Sequence, residues 1–431
     1  MTTVPEPAAT SIDPELAGKR LLILGGGLWQ RPYVQRARQL GLETWVTDWS
    51  PAAAARGDAD HFEAIDLKDQ EATLALAERV RVDGVLTAAD IGVPTAAYVA
   101  DRLGLAGHSI EVAHHATNKF AMRRQAARAG IRGPRFHVVR SGDAASTSVE
   151  SVEIGGLPAI VKPVDSCSSR GVRWVDRADD LPAAIADARA ASLTGEALVE
   201  EFLVGVEGSI EALVDEGRAT ILGYCDKTKS PLPDRFDLEL RYPGAFDAPA
   251  AAEIEALPQR IATGFGIRRG ILHVEFLVAH DTGAVFLIEF AIRGCGSKVV
   301  THLMPALTGV DVVRIVIRQA LGLATPAPAP VRGRHGALHF LMFPRGRVTA
   351  VRGVEAACRI PGVIDACVER RPGDAIDAVH DGRSRPGHVL VTAASRAEVQ
   401  HRIAQVRDAI RLDYERATDV APIDLLDSTH R

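Results

Sequence analysis

Two stretches of alternating apolar and polar residues, Ile271 to Val278 and Ala284 to Arg293, flank Asp281-Thr282-Gly283 and read as an antiparallel hairpin laid on a core. In the first, Leu272, Val274, Phe276 and Val278 share one face, and His273 and Glu275 the other. In the second, Phe286, Ile288 and Phe290 are expected inward, and Glu289, Ala291 and Arg293 outward. The three residues between them fit a short loop whose glycine takes the left-handed position. If His280 pairs with Ala284, the ladder sets Glu275 opposite Glu289 with their Cβ atoms about 5 Å apart. Two like charges that close are destabilising unless a cation lies between them. Carboxylate oxygens on a polar patch suit Mg²⁺, which keeps several waters and is completed by substrate phosphates. A chance carboxylate pair on a solvated face is the alternative that the hairpin alone leaves open.

A chain of 431 residues with 47% apolar side chains is long enough for two or three globular domains with filled cores. No apolar run approaches the roughly 20 residues of a membrane span. Met1 to Glu15 is acidic and lacks the apolar centre of a signal peptide, so the cytoplasm is the expected location. The five cysteines (Cys167, Cys225, Cys295, Cys358 and Cys367) form no C-x-x-C pair, which argues against a zinc site or a disulfide framework. A net charge of −5 argues against a nucleic-acid surface. Small molecules are therefore the expected partners, with neither nucleic acid nor membrane, and a homodimer stays open.

From Lys19 the order is strand (Leu21 to Leu24), glycine turn, helix (Arg31 to Leu40), strand (Glu43 to Thr47), with further units at Phe62 to Ile65, Val82 to Thr87 and Val93 to Leu103. Residues 17–114 thus read as a Rossmann-like parallel α/β domain. The turn is Gly25-Gly26-Gly27-Leu28-Trp29-Gln30 rather than G-x-G-x-x-G, so close strand–helix packing explains it better than a dinucleotide. A helix over Asn118 to Ala129, stopped by Gly130, opens a second region at 115–323. Its strands are expected at Pro158 to Lys162, Gly171 to Val175, Ala197 to Phe202, Ser209 to Val214 and Ala219 to Cys225. Its helices are expected at Asp179 to Ala191, Ala250 to Gly264 and Val310 to Leu321. The alternating Pro and Ala of 324–332 make a semi-rigid linker, and 333–431 reads as a separate α+β sandwich.

Lys162 ends the strand Ile160-Val161-Lys162-Pro163, and a small-residue loop with Ser166, Ser168, Ser169 and Gly171 follows. Such a loop brings backbone N–H groups to phosphate oxygens while the lysine supplies a point charge, although many surface loops have the same composition. Glu200-Glu201-Phe202-Leu203 ends an apolar strand and suits a hinge that reads an adenine edge, and Glu207 suits ribose hydroxyls; singly, each glutamate reads better as an ordinary exposed carboxylate. Lys227 and Lys229 follow a strand expected to end near Cys225, where Lys227 would reach a γ-phosphate or merely cap a loop.

Taken together, Thr117-Asn118-Lys119, Ile160-Val161-Lys162-Pro163 with its loop, Leu198-Val199-Glu200-Glu201-Phe202, Gly205-Val206-Glu207-Gly208-Ser209, and His273-Val274-Glu275 with Leu287 to Arg293 resemble the ATP-grasp superfamily in order and spacing. The resemblance implies ATP phosphates on Lys119 and Lys162, adenine at Glu200 and the Leu203 backbone, ribose at Glu207, and Mg²⁺ (or Mn²⁺) on Glu275 and Glu289. One position departs from the superfamily pattern: Ala291 stands where most members carry Asn, which removes an oxygen ligand. The L-amino acid ligase branch tolerates Ala there and keeps His273-x-Glu275 and Arg293, and the region after the linker is similar to its C-terminal sandwich. The implied reaction activates a carboxylate as an acylphosphate and joins it to an amine, with release of ADP and phosphate. Arg293 is then placed at the oxyanion, with a salt bridge as its bland alternative, and His273 orients substrate or a metal ligand, or is structural. A carboxylase or phosphotransferase with a non-amine acceptor, and a nucleotide-binding regulator without turnover, are the competing readings.

Overall fold

The computed structural model describes residues 13–140, 154–167 and 170–415. Its first unit is a parallel sheet of β1 (Arg20–Leu24), β2 (Glu43–Asp48), β3 (His61–Ala64) and β4 (Gly84–Thr87) in the order β3-β2-β1-β4. The run Leu21-Leu22-Ile23-Leu24 is buried throughout because helices cover both faces. Leu21 and Ile23 pack with Tyr33 and Val34 of α1 (Arg31–Gln39), while Leu22 and Leu24 pack with α2 (Gln70–Val80) and α3 (Val93–Leu103).

After α4 (Ile110–Thr117), Asn118 caps α5 (Lys119–Arg128) by accepting from Ala121 N at 2.9 Å, which fixes Lys119 in the first turn. A small antiparallel sheet follows, built from β5 (Phe136–Val139), β6 (Ala159–Pro163), β7 (Arg173–Val175) and β8 (Ala197–Glu201), and α6 (Leu181–Ala191) covers it. The larger sheet comprises β9 (Gly205–Asp215), β10 (Arg218–Lys229), β11 (Asp237–Tyr242), and, beyond α7 (Ala248–Phe265), β12 (Gly270–Ala279) and β13 (Val285–Ala291). Helices α8 (Met304–Thr308) and α9 (Val312–Ala320) pack this sheet against the first unit in one shared core.

The C-terminal region contains β14 (His335–Phe340), β15 (Gly346–Arg352), α10 (Val354–Cys358), β16 (Val363–Val368), β17 (Ala375–Ile376), β18 (Gly387–Ala393), α11 (Arg396–Ala409) and β19 (Arg411–Tyr414). Three of its strands, β14, β16 and β18, join the larger sheet, and β15, β17 and β19 form a sheet of their own. β14 pairs antiparallel with β11, and the eight strands run β13-β12-β9-β10-β11-β14-β18-β16. The physical reason is β11, for which no element was expected and which offers an edge for β14 to pair with. The expected class, mixed α/β and α+β in several domains, holds.

Two expectations about strands need correction. The hairpin pairs Val278 with Val285, one residue off the expected register at the turn, and the loop is His280 to Gly283, with Gly283 at φ +67°. A bulge at Ile288 then restores the offset, so that Glu275 faces Glu289 after all. The inward residues of β13 are consequently Val285, Leu287 and Phe290, while Phe286 and Ile288 lie outside that core. Second, β10 extends to Lys229, so Lys227 is a buried and Lys229 a partly buried strand residue rather than part of a loop.

Candidate active site

The smaller and larger sheets enclose a cleft of about 1000 Å³, mouth included. On β6, Val161 turns into the small core and Lys162 therefore turns toward the cleft. Its Nζ lies 2.6 Å from one oxygen of Glu200 on β8, and Arg123 Nε lies 2.6 Å from the other. Arg123 also donates to the Ile288 carbonyl, which ties α5 to the bulge. All three side chains are buried. Burial, reinforced by the Arg123 charge, pushes the Lys162 amine down, whereas the two cations outweigh burial and hold the Glu200 carboxyl below its usual range. One carboxylate thus balances two cations, and the surplus positive charge faces the cleft. Glu200, expected at adenine, has both oxygens engaged by these cations.

The other expected nucleotide residues surround the same space. Glu201, Phe202 and Leu203 line it, with the Glu201 carboxylate turned to Arg135 N and Nε at 2.8 and 2.7 Å. Trp174 meets Phe202 edge-on at 6.3 Å between ring centres. Glu207 is held by Lys229 at 2.8 Å and Arg235 at 2.6 Å, and these cations keep its carboxyl low against the effect of burial. Lys119 Nζ donates to Ser166 O at 2.5 Å and lies 3.2 Å from Glu289. Ser168 and Ser169 fall outside the described residues.

Glu275 and Glu289 sit directly across from one another, with side chains about one-quarter and one-third exposed. Glu275 is 3.0 Å from Lys227 and 3.5 Å from His273 Nε2. Lys227 also reaches Asp237 at 3.4 Å. Despite burial, Lys227 and His273 keep the Glu275 carboxyl well below its usual range, and Asp237 and Glu275 raise the Lys227 amine well above its own. Two facing carboxylates, at least one of them firmly ionised, fit a divalent cation. Ala291 lies opposite His273 and brings no side-chain oxygen to this pair.

His273 Nδ1 meets Glu211 at 2.5 Å on the neighbouring strand β9. Burial works against its charge, but Glu211 and Glu275 raise its pKa to about 9. Cys295 Sγ converges with Glu211 and His273 to within 4.8 Å, yet burial and the Glu211 charge keep the thiol protonated, and the pair satisfies itself. Arg293 lies outside the nucleotide cleft: Nε and Nη2 donate to the two oxygens of Asp90 at 2.8 and 2.6 Å. The Asp90 carboxyl is kept low, against burial, by Arg293 and further by Lys119 and His273, and Arg293 follows β13 four residues beyond Glu289.

Sequence reasoning did not find Arg123, Asp237, Glu211 or Asp90. Arg123 carried a signal, since it lies one helical turn from Lys119 on the same face. So did Asp237, in the perfect alternation Phe236-Asp237-Leu238-Glu239-Leu240-Arg241-Tyr242. Glu211 and Asp90 carried none.

Comparison with known proteins agrees with this geometry. Residues 155–302 match the ATP-grasp domain model and residues 339–415 match L-amino acid ligase C-terminal domain 2. The formate-dependent phosphoribosylglycinamide formyltransferase of Methanocaldococcus jannaschii is 26% identical over 86% of this chain and 95% of its own length. The alanine–anticapsin ligase of Bacillus subtilis is 23% identical over 57% and 56%. The crystal structure of L-amino acid ligase from Bacillus licheniformis superposes with a TM-score of 0.79 at 22% identity, over 93% of this chain and 100% of that one. No single helix among the described residues is long and apolar enough to cross a membrane. The chain thus carries an ATP-grasp domain, followed by a segment that matches the second C-terminal domain of L-amino acid ligases.

Proposed function

We propose that this protein is an ATP-dependent carboxylate–amine ligase that joins two small molecules, most simply two amino acids, through an acylphosphate with release of ADP and phosphate. The observation that carries the reading is the pairing of Glu275 with Glu289 at the floor of a cleft whose walls hold Lys119, Lys162 and Lys229. Lys119 and Lys162 are suited to hold phosphate oxygens as charged donors. Phe202, Leu203 and Ile288 offer apolar walls for a base, and Glu207 accepts from a ribose once Lys229 and Arg235 share it. Mg²⁺ or Mn²⁺, held by Glu275 and Glu289, would neutralise charge on the transferring phosphoryl group.

Lys227 keeps Glu275 ionised and oriented, and His273 does the same from the other side, anchored by Glu211. Arg293 sits beside this centre with its planar fork on Asp90; a shift of that fork toward the acyl carbon would give an oxyanion donor pair when the amine attacks. The similarity to the alanine–anticapsin ligase supports an amine acceptor, and the similarity to the formyltransferase keeps a formate-type carboxylate as the second reading. ADP release measured with amino acids singly and in pairs tests the proposal. Stimulation that needs two amino acids supports it, and stimulation by formate with a non-amino-acid amine would favour the second reading.

A further inference from the structure

Residues 293–298 leave the end of β13 with Arg293 and run into a wide helical turn, Val299–Leu303. The reversal is made by Ser297 and Lys298, two consecutive residues with left-handed backbone, at φ +50° and +62°. That conformation brings Cβ too close to a carbonyl oxygen, so a residue other than glycine holds it where its surroundings impose it. Acidic side chains from all three regions of the chain grip this stretch. Asp90, in the parallel-sheet unit, accepts from Arg293 at 2.8 and 2.6 Å. Glu211 on β9 accepts from Cys295 N at 3.2 Å, and its other oxygen leads through His273, at 2.5 Å, to Glu275 at 3.5 Å. Asp365 on β16 accepts from Lys298 Nζ at 2.7 Å, both side chains being about one-fifth exposed, and the buried ring of His388 on β18 lies 3.0 Å behind it. Beyond the reversal Val299 and Val300 are buried, and Gly294 lies so close to Val300 that a Cβ there would clash with its side chain.

Resting on the ligase reading, we propose that Lys298 is a positioning residue: its ion pair with Asp365 lets the C-terminal region hold the left-handed reversal, and the reversal sets where Arg293 and the Cys295 N–H stand when the amine attacks. Neither Lys298 nor Asp365 lines the nucleotide cleft, so the clamp bears on amide formation and not on ATP affinity. A backbone released from the clamp relaxes toward right-handed or extended shapes, which moves residues 295–297 and Arg293 with them. A misplacement of about 1 Å costs on the order of a hundredfold in rate.

Amide formation by the full-length protein, with the amino-acid pair that stimulates it, should fall at least about tenfold in kcat for Lys298→Ala and Asp365→Asn, with KM for ATP within about twofold of wild type. Lys298→Gly also removes the charge but takes the left-handed conformation without strain, and should run at least about fivefold faster than Lys298→Ala. In an Arg293→Ala background, Lys298→Ala should cost no more than about twofold, because the residue it positions is gone. Equal losses in Lys298→Ala and Lys298→Gly, or a full tenfold or so added to Arg293→Ala, would overturn the proposal. Hydrogen exchange of residues 293–300, read by mass spectrometry, judges the clamp without turnover: it should be at least about tenfold faster in Lys298→Ala and Asp365→Asn, and unchanged exchange in both would overturn the proposal as well. A wild type that forms no amide, with the exchange result as expected, would remove the ligase reading and leave the clamp standing.

Discussion

Arg293 and Asp90 are joined by two hydrogen bonds across 203 residues of sequence, and this pair links the parallel-sheet unit to the chain just after the β12–β13 hairpin. Side chains only a fifth to a quarter exposed make the contact a partly desolvated one. Removing either partner leaves the other partly buried and unpaired. Arg293→Ala and Asp90→Ala should each lower unfolding stability by about 1.5–3 kcal/mol, the worth of hydrogen bonds to a charged group. Arg293→Ala should additionally lower the ligation rate by about 10²–10³. Equal rates in the two variants would make Arg293 a strut only.

Glu200 and Lys162 should separate in their effects. Glu200→Ala strips the counter-charge from two buried cations, and apo stability in urea should fall by about 3–5 kcal/mol. Lys162→Ala leaves Arg123 and Glu200 matched, so apo stability should hold while ATP affinity drops by about 1.5–3 kcal/mol, roughly ten- to a hundredfold. Loss of ATP affinity without loss of stability in Glu200→Ala would return Glu200 to a direct adenine role.

For the metal, Glu275→Gln and Glu289→Gln should each weaken Mn²⁺ binding in the presence of ADP by about tenfold or more, measured by electron paramagnetic resonance. Undiminished Mn²⁺ binding in both would show that the facing carboxylates are not the ligands.

The C-terminal strands contribute a pH effect. His388 lies 3.0 Å from Asp365, which Lys298 also reaches at 2.7 Å, and the ring of Trp29 sits edge-on to it at 5.4 Å. Burial lowers the His388 pKa, but the hydrogen bond to Asp365 and the charges of Asp365 and Glu369 raise it overall above 6.5. A raised folded-state pKa gives stability that is complete below about 6.5 and is lost as pH rises through the raised value. Asp365, lowered to about 2 by His388 and Lys298 against burial, keeps its own contribution down to strongly acid pH. The melting-temperature loss caused by His388→Phe should be larger at pH 6 than at pH 9; an identical loss at both would contradict the ion pair.

Much of this was legible in the chain because period and spacing act locally. The parallel strands around Leu21, Val46 and Val85, the helix capped by Asn118, and the hairpin that carries Glu275 and Glu289 all follow from short-range pattern. The Ile288 bulge was not, since Phe286 and Ile288 are apolar like their neighbours and nothing in their identity marks the inserted residue. The alternation from Phe236 to Tyr242 was present but hidden among prolines and turn residues, and with it went Asp237 and the edge on which β14 pairs. The counter-charges Glu211 and Asp90 lie 62 and 203 residues from the side chains they hold, and only the folded sheet brings them together.

The central claim is that ATP cleavage here is coupled to amide formation. Wild-type protein with ATP, Mg²⁺ and the pair of amino acids that stimulates it most should release ADP and phosphate in equal amounts and in step with a dipeptide detected by mass spectrometry, with little release when either amino acid is omitted. AMP with pyrophosphate, or steady ADP release with no condensed product from any amino-acid pair, would contradict it.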